Sequence, residues 1–228
     1  MPVTVFTETE QHRQMLEVSG EETLFQLETK QPLVKIALDP DVDVFRRLVS
    51  TEVPPTVNTL KASTDLLVVV AEQWQGAASG ILRPLLVSLG MRPATMMTED
   101  RIRDADIADR DVLFLGVPSA ARLSRRLPAT LALTPKRFAV DGTTFDAQMD
   151  ALFTAFPHPL TEGRAAALFH PLSMDAAFPA IRKITHYGKY STLVFTNGNN
   201  RMKATWPVTD SPMEYFFPVP GDTGKGAP

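Results

Sequence analysis

The sequence predicts an α/β protein: a small N-terminal β module followed by a three-layer α/β sandwich with a mixed sheet. Three observations carry that expectation. The first forty residues contain short runs of β-branched and aromatic residues with partial alternation, such as "VTVFTE" and "PLVKIALD", which is the pattern of half-buried strands. From Leu66 the rhythm changes, and continuous apolar runs such as "LLVVVA" and "DVLFLGV" read as strands covered on both faces. Segments of helical spacing alternate with these runs, the order a layered α/β domain requires.

The N-terminal antiparallel module is expected over residues 1–40, with strands at "VTVFTE", "QMLEVS", "ETLFQLE" and "PLVKIALD" and a turn at Gly20. Strands this short leave an apolar face that needs another layer to cover it. Residues 41–61 read as a connector. Val44, Phe45 and Leu48 could share a short helical face there, while Pro54–Pro55 forbids helix across that pair. Charge shifts at the same place: residues 1–61 hold 6 basic and 10 acidic side chains, a balance of −4, against 17 and 16, or +1, in the rest.

The α/β domain is expected over 62–212. After the Leu66–Ala71 strand comes a helix near Ser79–Leu89 ending at Gly90, then strands at "ATMMT" and "DVLFLGV" and a short helix in "PSAARLSRRL". "RFAVDGTTFDA" reads as a hairpin turning at Asp141–Gly142. "DALFTAFPHP" and "RAAALFHPLS" are two further strands, Asp175–Thr185 the last helix, and a hairpin across Asn197–Asn200 closes the domain. Residues 213–228 are expected to form a mobile tail.

Composition excludes several function classes. With 228 residues, 44% apolar, 21% charged and a net charge of −3, the chain is an ordinary globular one without the basic excess of a nucleic-acid binder. It contains no cysteine, which removes disulfides, thiolate catalysis, iron–sulfur clusters and cysteine-ligated zinc. "MPVTVFTETEQHRQ" lacks the basic and apolar regions of a signal peptide, and the apolar runs are too short to span a membrane. Cytoplasmic residence is the expectation if the chain is complete.

No complete catalytic constellation is readable. The histidines are His12, His158, His170 and His186, none in an H-E-x-x-H pair. His158 and His170 each precede a proline at a strand end and are expected on the surface beside loops. "TEDRIRDADIADRD" lacks the glycine and terminal glutamate of a calcium loop. "EQWQGAASGILRP" follows a buried strand but matches neither G-x-G-x-x-G nor a Gly-Lys-Ser/Thr loop, and G-x-S-x-G is absent. Ser119 is expected to cap a helix. No catalytic residue, metal or cofactor is therefore assigned.

"THYGKYST", Thr185–Thr192, crowds chemistry-bearing side chains around one glycine. Its structural reading is a helix stop, with Gly188 in the left-handed conformation, His186 near the negative end of the dipole, and Tyr190 entering a strand. Its functional reading is a binding patch. Between Asp175 and Asp210 there is no acidic residue, yet Arg182, Lys183, Lys189, Arg201 and Lys203 all occur there. Together with Tyr187 and Tyr190, such a patch suits a carboxylate, a phosphate or an acidic protein surface.

"LVKIALDPDVDVFRRLVSTEVPPTV" resembles the junction that follows the β-domain in some bacterial aminopeptidase N-like (gluzincin) zinc peptidases. "DVLFLGVP", "FAVDGTTF" and "AIRKITHYGKYSTLVFTNGNNRMKATWPV" are similar to successive pieces of the C-terminal region of that family. The resemblance runs roughly from Val3 to Pro212. The zinc motif of the family is missing, so no catalytic residue carries over. The resemblance implies a non-catalytic accessory or interaction protein, docking onto a peptidase-like partner or onto itself through the exposed face of the N-terminal module. The alternative is a small α/β ligand-binding domain or enzyme with an anion site near Ser119, His186, Tyr187 and Lys189. Neither nucleic acid nor membrane is an expected partner.

Overall fold

The computed structural model describes residues 1–92, 94–208 and 210–218. In chain order the first elements are β1 (Pro2–Thr7), β2 (Gln11–Met15), β3 (Leu33–Leu38), α1 (Val57–Lys61), β4 (Leu66–Val70), α2 (Ala78–Leu89) and β5 (Thr95–Thr98). They are followed by α3 (Asp104–Ala108), β6 (Asp111–Leu115), α4 (Ala121–Ser124), β7 (Ala132–Thr134), β8 (Arg137–Val140) and β9 (Thr143–Phe145). The chain continues through β10 (Asp150–Pro157), β11 (Ala165–Pro171), α5 (Met174–Ile184), β12 (Thr192–Thr196), β13 (Asn199–Ala204) and β14 (Glu214–Phe216). Contacts divide it into two units, Met1–Glu52 with the segment from Val208 onward, and Val53–Pro207.

The N-terminal unit carries an antiparallel sheet of order β14-β3-β1-β2. Three expectations change here. Glu21–Glu28 alternates like a strand but joins no sheet, because alternation makes a strand only where a neighbour supplies the ladder. Local bonding wins instead: Thr23 Oγ1 donates to Ser19 O at 3.0 Å and accepts from Ser19 N at 3.2 Å, around Gly20 at φ 76°. The tail expected over 213–228 begins with a strand, β14, whose Glu214 pairs with Lys35 at 2.9 Å; residues 219–228 lie outside the described residues.

The third change concerns Val44, Phe45 and Leu48, which form no helix. Asp39, buried and at φ 49°, takes the N–H groups of Asp43 and Val44 and Nε of Arg46, and so holds this stretch in a non-helical loop. The other end of the Arg46 guanidinium grips Glu52 at 2.8 and 2.9 Å, and Ser211 Oγ donates to the same carboxylate at 2.7 Å. The Arg46 bonds, then that of Ser211, hold the Glu52 carboxyl down to about 2.

The larger unit is organised by a seven-stranded sheet of order β13-β12-β10-β11-β6-β4-β5. Pairings are parallel from β11 through β6 and β4 to β5, and antiparallel from β11 through β10 and β12 to β13. This is the mixed sheet read from the sequence. Alternate residues feed two cores. Val68, Leu113, Phe153, Phe169 and Phe195 face α1, α2 and α5, while Leu67, Phe114, Leu152 and Leu168 face α3, α4 and the β7-β8-β9 meander. Fully burying each large side chain contributes about 2–3 kcal/mol.

Turn chemistry follows the sequence closely. Gly90 ends α2 at φ 70°, Asp141–Gly142 turns the β8–β9 hairpin at φ 47° and 75°, and Asn197–Gly198 turns β12 into β13 at φ 51° and 71°. The stretch expected as connector differs, because Val57 and Leu60 of α1 are buried in the core of the larger unit.

The two strand-end histidines are also not on the surface. His158 is buried, and its Nδ1 accepts from Leu160 N and Thr161 N at 3.2 and 3.0 Å, closing the β10–β11 turn. His170 is 0% exposed, and its Nε2 donates to Thr134 O at 2.9 Å, tying β11 to the meander strand β7. Proline ends each strand, but the layer above covers the ring. Burial pushes the His170 imidazole down to about 4 from an unfolded value near 6.5. Between those values the unfolded chain binds a proton that the folded chain does not, so this contribution is complete above pH ~6.5 and is lost as pH falls toward ~4. Denaturant titrations across this range are expected to show stability falling by about 3 kcal/mol from this group, with a smaller pH slope in His170→Leu. An unchanged slope in that variant would remove His170 as the cause.

Candidate functional site

The end of α5 builds the candidate site. A single 3₁₀ turn, Thr185–Tyr187, follows the helix, and Gly188 continues it at φ −47°, ψ −35°. The left-handed stop expected at Gly188 is therefore not present. A Cβ there would meet the exposed Asn58 amide, which would have to swing aside. The close approach has a purpose: Gly188 O accepts from Asn58 N at 2.9 Å and Tyr190 O from Val57 N at 3.0 Å. These carbonyls satisfy N–H groups in the first turn of α1 that no helical partner can reach. Ser191, fully buried, donates to Pro55 O at 2.6 Å and extends the same junction.

Above this junction the structure brings Tyr187, Tyr190, Lys189 and Lys203 together. The tyrosine rings lie 6.3 Å apart, and Tyr187 meets Phe195 edge-on at 6.0 Å, which seats it on the core. Lys203 Nζ lies 5.8 Å from the Tyr187 ring and 5.3 Å from the Tyr190 ring, and Lys189 Nζ lies 5.5 Å from Tyr190. At these distances ring faces attract ammonium groups. Arg201 shares the exposed face of β13 with Lys203. Arg182 and Lys183 stand apart, lining a cavity of about 340 Å³ with Pro179 and the Asn197–Asn199 turn.

Among the described residues none of these five cations forms an ion pair. At a physiological screening length of about 8 Å, adjacent members reinforce one another at the surface. The face can hold carboxylate or phosphate oxygens, with half-buried tyrosine rings offering apolar contact beside the charge. His186 is exposed, and among the described residues its ring has no hydrogen-bond partner to orient it.

Ser119 does not belong to this group. It follows the C-terminal end of β6, whereas α5 starts at the C-terminal end of the parallel β11 and returns to the opposite edge of the sheet, where His186 and Lys189 sit. Nor does Ser119 cap α4, whose N-cap is Ala120. Its hydroxyl donates to Glu99 Oε1 at 3.1 Å. Glu99, 3% exposed, also accepts from Glu72 N at 2.6 Å and Ala120 N at 3.0 Å. Open α/β sheets bind ligands in the crevice beyond the carboxyl ends of their parallel strands; in this protein an internal carboxylate occupies that position. After β4, Trp74 packs so tightly on Gly116, which follows β6, that a Cβ there would lie 2.5 Å from the indole. Sequence reading missed Glu99, because a glutamate after a strand resembles any surface acid.

Among the described residues no group of three or more histidine, aspartate or glutamate side chains is placed to hold a metal ion. Two substitutions test the local architecture. Gly188→Ala is expected to lower stability by less than about 1 kcal/mol, because the exposed Asn58 amide can swing into solvent, and Glu99→Ala by about 1–3 kcal/mol through three unpaired donors. Thermal or denaturant unfolding reads both; a larger loss in Gly188→Ala would show that Asn58 is held in place, and wild-type stability in Glu99→Ala would show that its contacts are dispensable.

Among the described residues no helix is long and apolar enough to cross a membrane. No family model matches this chain, and no curated protein matches it.

Proposed function

We propose that this chain is a non-catalytic interaction protein, related to the C-terminal region of aminopeptidase N-like zinc peptidases, that docks through its N-terminal unit onto a peptidase-like partner or a second copy. One observation carries the reading. The N-terminal unit leaves a set of large apolar side chains in solvent, among them Phe45, fully exposed, Leu24 at 91%, Met15 at 72% and Phe216 at 62%. Scattered single apolar residues are ordinary on any surface, but a concentration in one small unit supports an interaction role. The junction motif supports the same reading: Asp39, Arg46 and Glu52 of "DPDVDVFRRLVSTE" spend their charges on one another and leave Phe45 between them without cover.

A second reading, a ligand-binding α/β domain, draws on the unpaired cations beside Tyr187 and Tyr190, which suit a carboxylate or phosphate. Its catalytic form asks for a second group that orients His186, and the exposed ring has none among the described residues.

The test of the first reading is direct. Light scattering of the purified chain over a concentration series, and biolayer interferometry against a purified aminopeptidase N-like catalytic region, are expected to show association in one or both. Phe45→Glu is expected to weaken that association about tenfold or more without loss of folding. Absence of association in both experiments would reject the reading.

A further inference from the structure

We propose that the cationic face formed by Lys189, Arg201 and Lys203 beside Tyr187 and Tyr190 binds the acidic segment Glu17–Glu28 of a second copy of this chain. The inference rests on reading the protein as an interaction module, and it names both sides of one contact.

Two complementary stretches of sequence carry it. From Gln14 to Thr29 the only charged side chains are Glu17, Glu21, Glu22 and Glu28. From Ala176 to Thr209 the only formally charged ones are Arg182, Lys183, Lys189, Arg201 and Lys203. Each is a single-sign stretch without an ion-pair partner among the described residues, and the two signs are opposite.

Shape agrees with charge. Glu21–Glu28 has a strand-like alternation but belongs to no sheet, and it leaves Leu24 and Phe25 91% and 45% exposed. Extended, it would present Glu22, Leu24, Gln26 and Glu28 on one side, two carboxylates flanking an apolar side chain. Glu22 to Glu28 then spans about 20 Å at ~3.3 Å per residue, the length of a six-residue strand such as β13. The receiving face has the complementary order, with ammonium groups around a pair of tyrosine rings 6.3 Å apart. Leu24 meets the rings and the flanking glutamates meet the cations.

Pairing of β13 with the same strand of another copy is disfavoured. Arg201 and Lys203 would face like charges, and the register of β13 shifts between Val194 and Phe195 of its partner, both of which blunt an edge against its own kind. The second copy therefore contributes a different segment, a heterologous contact that closes only if the two copies exchange segments reciprocally.

The chain has no cysteine, so single-cysteine variants report contacts cleanly. Leu24→Cys and Thr205→Cys chains, mixed under mild oxidation, are expected to give a mixed disulfide dimer in preference to either homodimer, with the yield falling as salt is raised. A labelled peptide of residues 17–28 is expected to bind the full chain and to bind the Arg201→Glu/Lys203→Glu variant about tenfold more weakly. The same peptide carrying Glu22→Lys and Glu28→Lys should recover affinity for that variant. The proposal is overturned if the mixed dimer does not form, or if the peptide fails to bind at about 1 mM. It is overturned equally if a scrambled peptide of the same composition, or inorganic phosphate alone, binds the same face as well as the peptide does. Association abolished by Phe45→Glu but indifferent to Arg201→Glu/Lys203→Glu would sink this contact and leave the docking reading standing; no association at all would remove both.

Discussion

Two-sided burial of the central strands is the constraint on which the larger unit depends. β4, β6, β10 and β11 have hardly an exposed residue, so each needs cover on both faces. On one face, helices α1, α2 and α5 supply it; on the other, two short helices and a three-stranded meander do. A thin second layer needs ties, and the His170–Thr134 bond is one. The cost is an imidazole kept neutral in the interior, since burial penalises its charged form.

The same constraint sends charge to the periphery. A sheet apolar on both faces can carry basic side chains only at its edge strand and at the helix ends, and the cations after Asp175 are found there. The close packing of Gly188 on α1 fixes where the peptide leaves α5, and so fixes the tyrosines on which Lys189 and Lys203 rest. The cationic face is thus a by-product of a helix-capping solution. At the other end of the sheet the crevice that often receives a ligand is closed by Glu99, which gives the backbone N–H groups of Glu72 and Ala120 the anion they would otherwise lack.

Much of the architecture is legible in residue type and spacing alone. "LLVVVA" and "DVLFLGV" read as doubly covered strands, Gly90 as a helix end, and Asp141–Gly142 and Asn197–Asn200 as hairpin turns; Gly90, Asp141, Gly142, Asn197 and Gly198 all take the positive φ such positions favour. What failed was inference from pattern where a partner was required. "ETLFQLE" alternates but finds no ladder. Val44, Phe45 and Leu48 have helical spacing, but the Asp39 carboxylate captures the backbone first. Of the candidate site, Tyr187, Lys189, Tyr190 and Lys203 assemble, Arg201 shares their strand face, Arg182 lines a separate cavity, His186 is exposed, and Ser119 lies at the opposite end of the sheet.

The sequence by itself determined the α/β class, the strand runs, the turns and the segregation of charge into single-sign stretches, because these depend on residue type and short-range spacing. Only the tertiary structure decided what each side chain meets. It set Asn58 against Gly188, laid Thr134 over His170 and brought Glu72 and Ala120 to Glu99, pairs separated by 130, 36, 27 and 21 positions in the chain. Contacts between such distant residues are chosen by packing of the whole sheet, which no local pattern encodes.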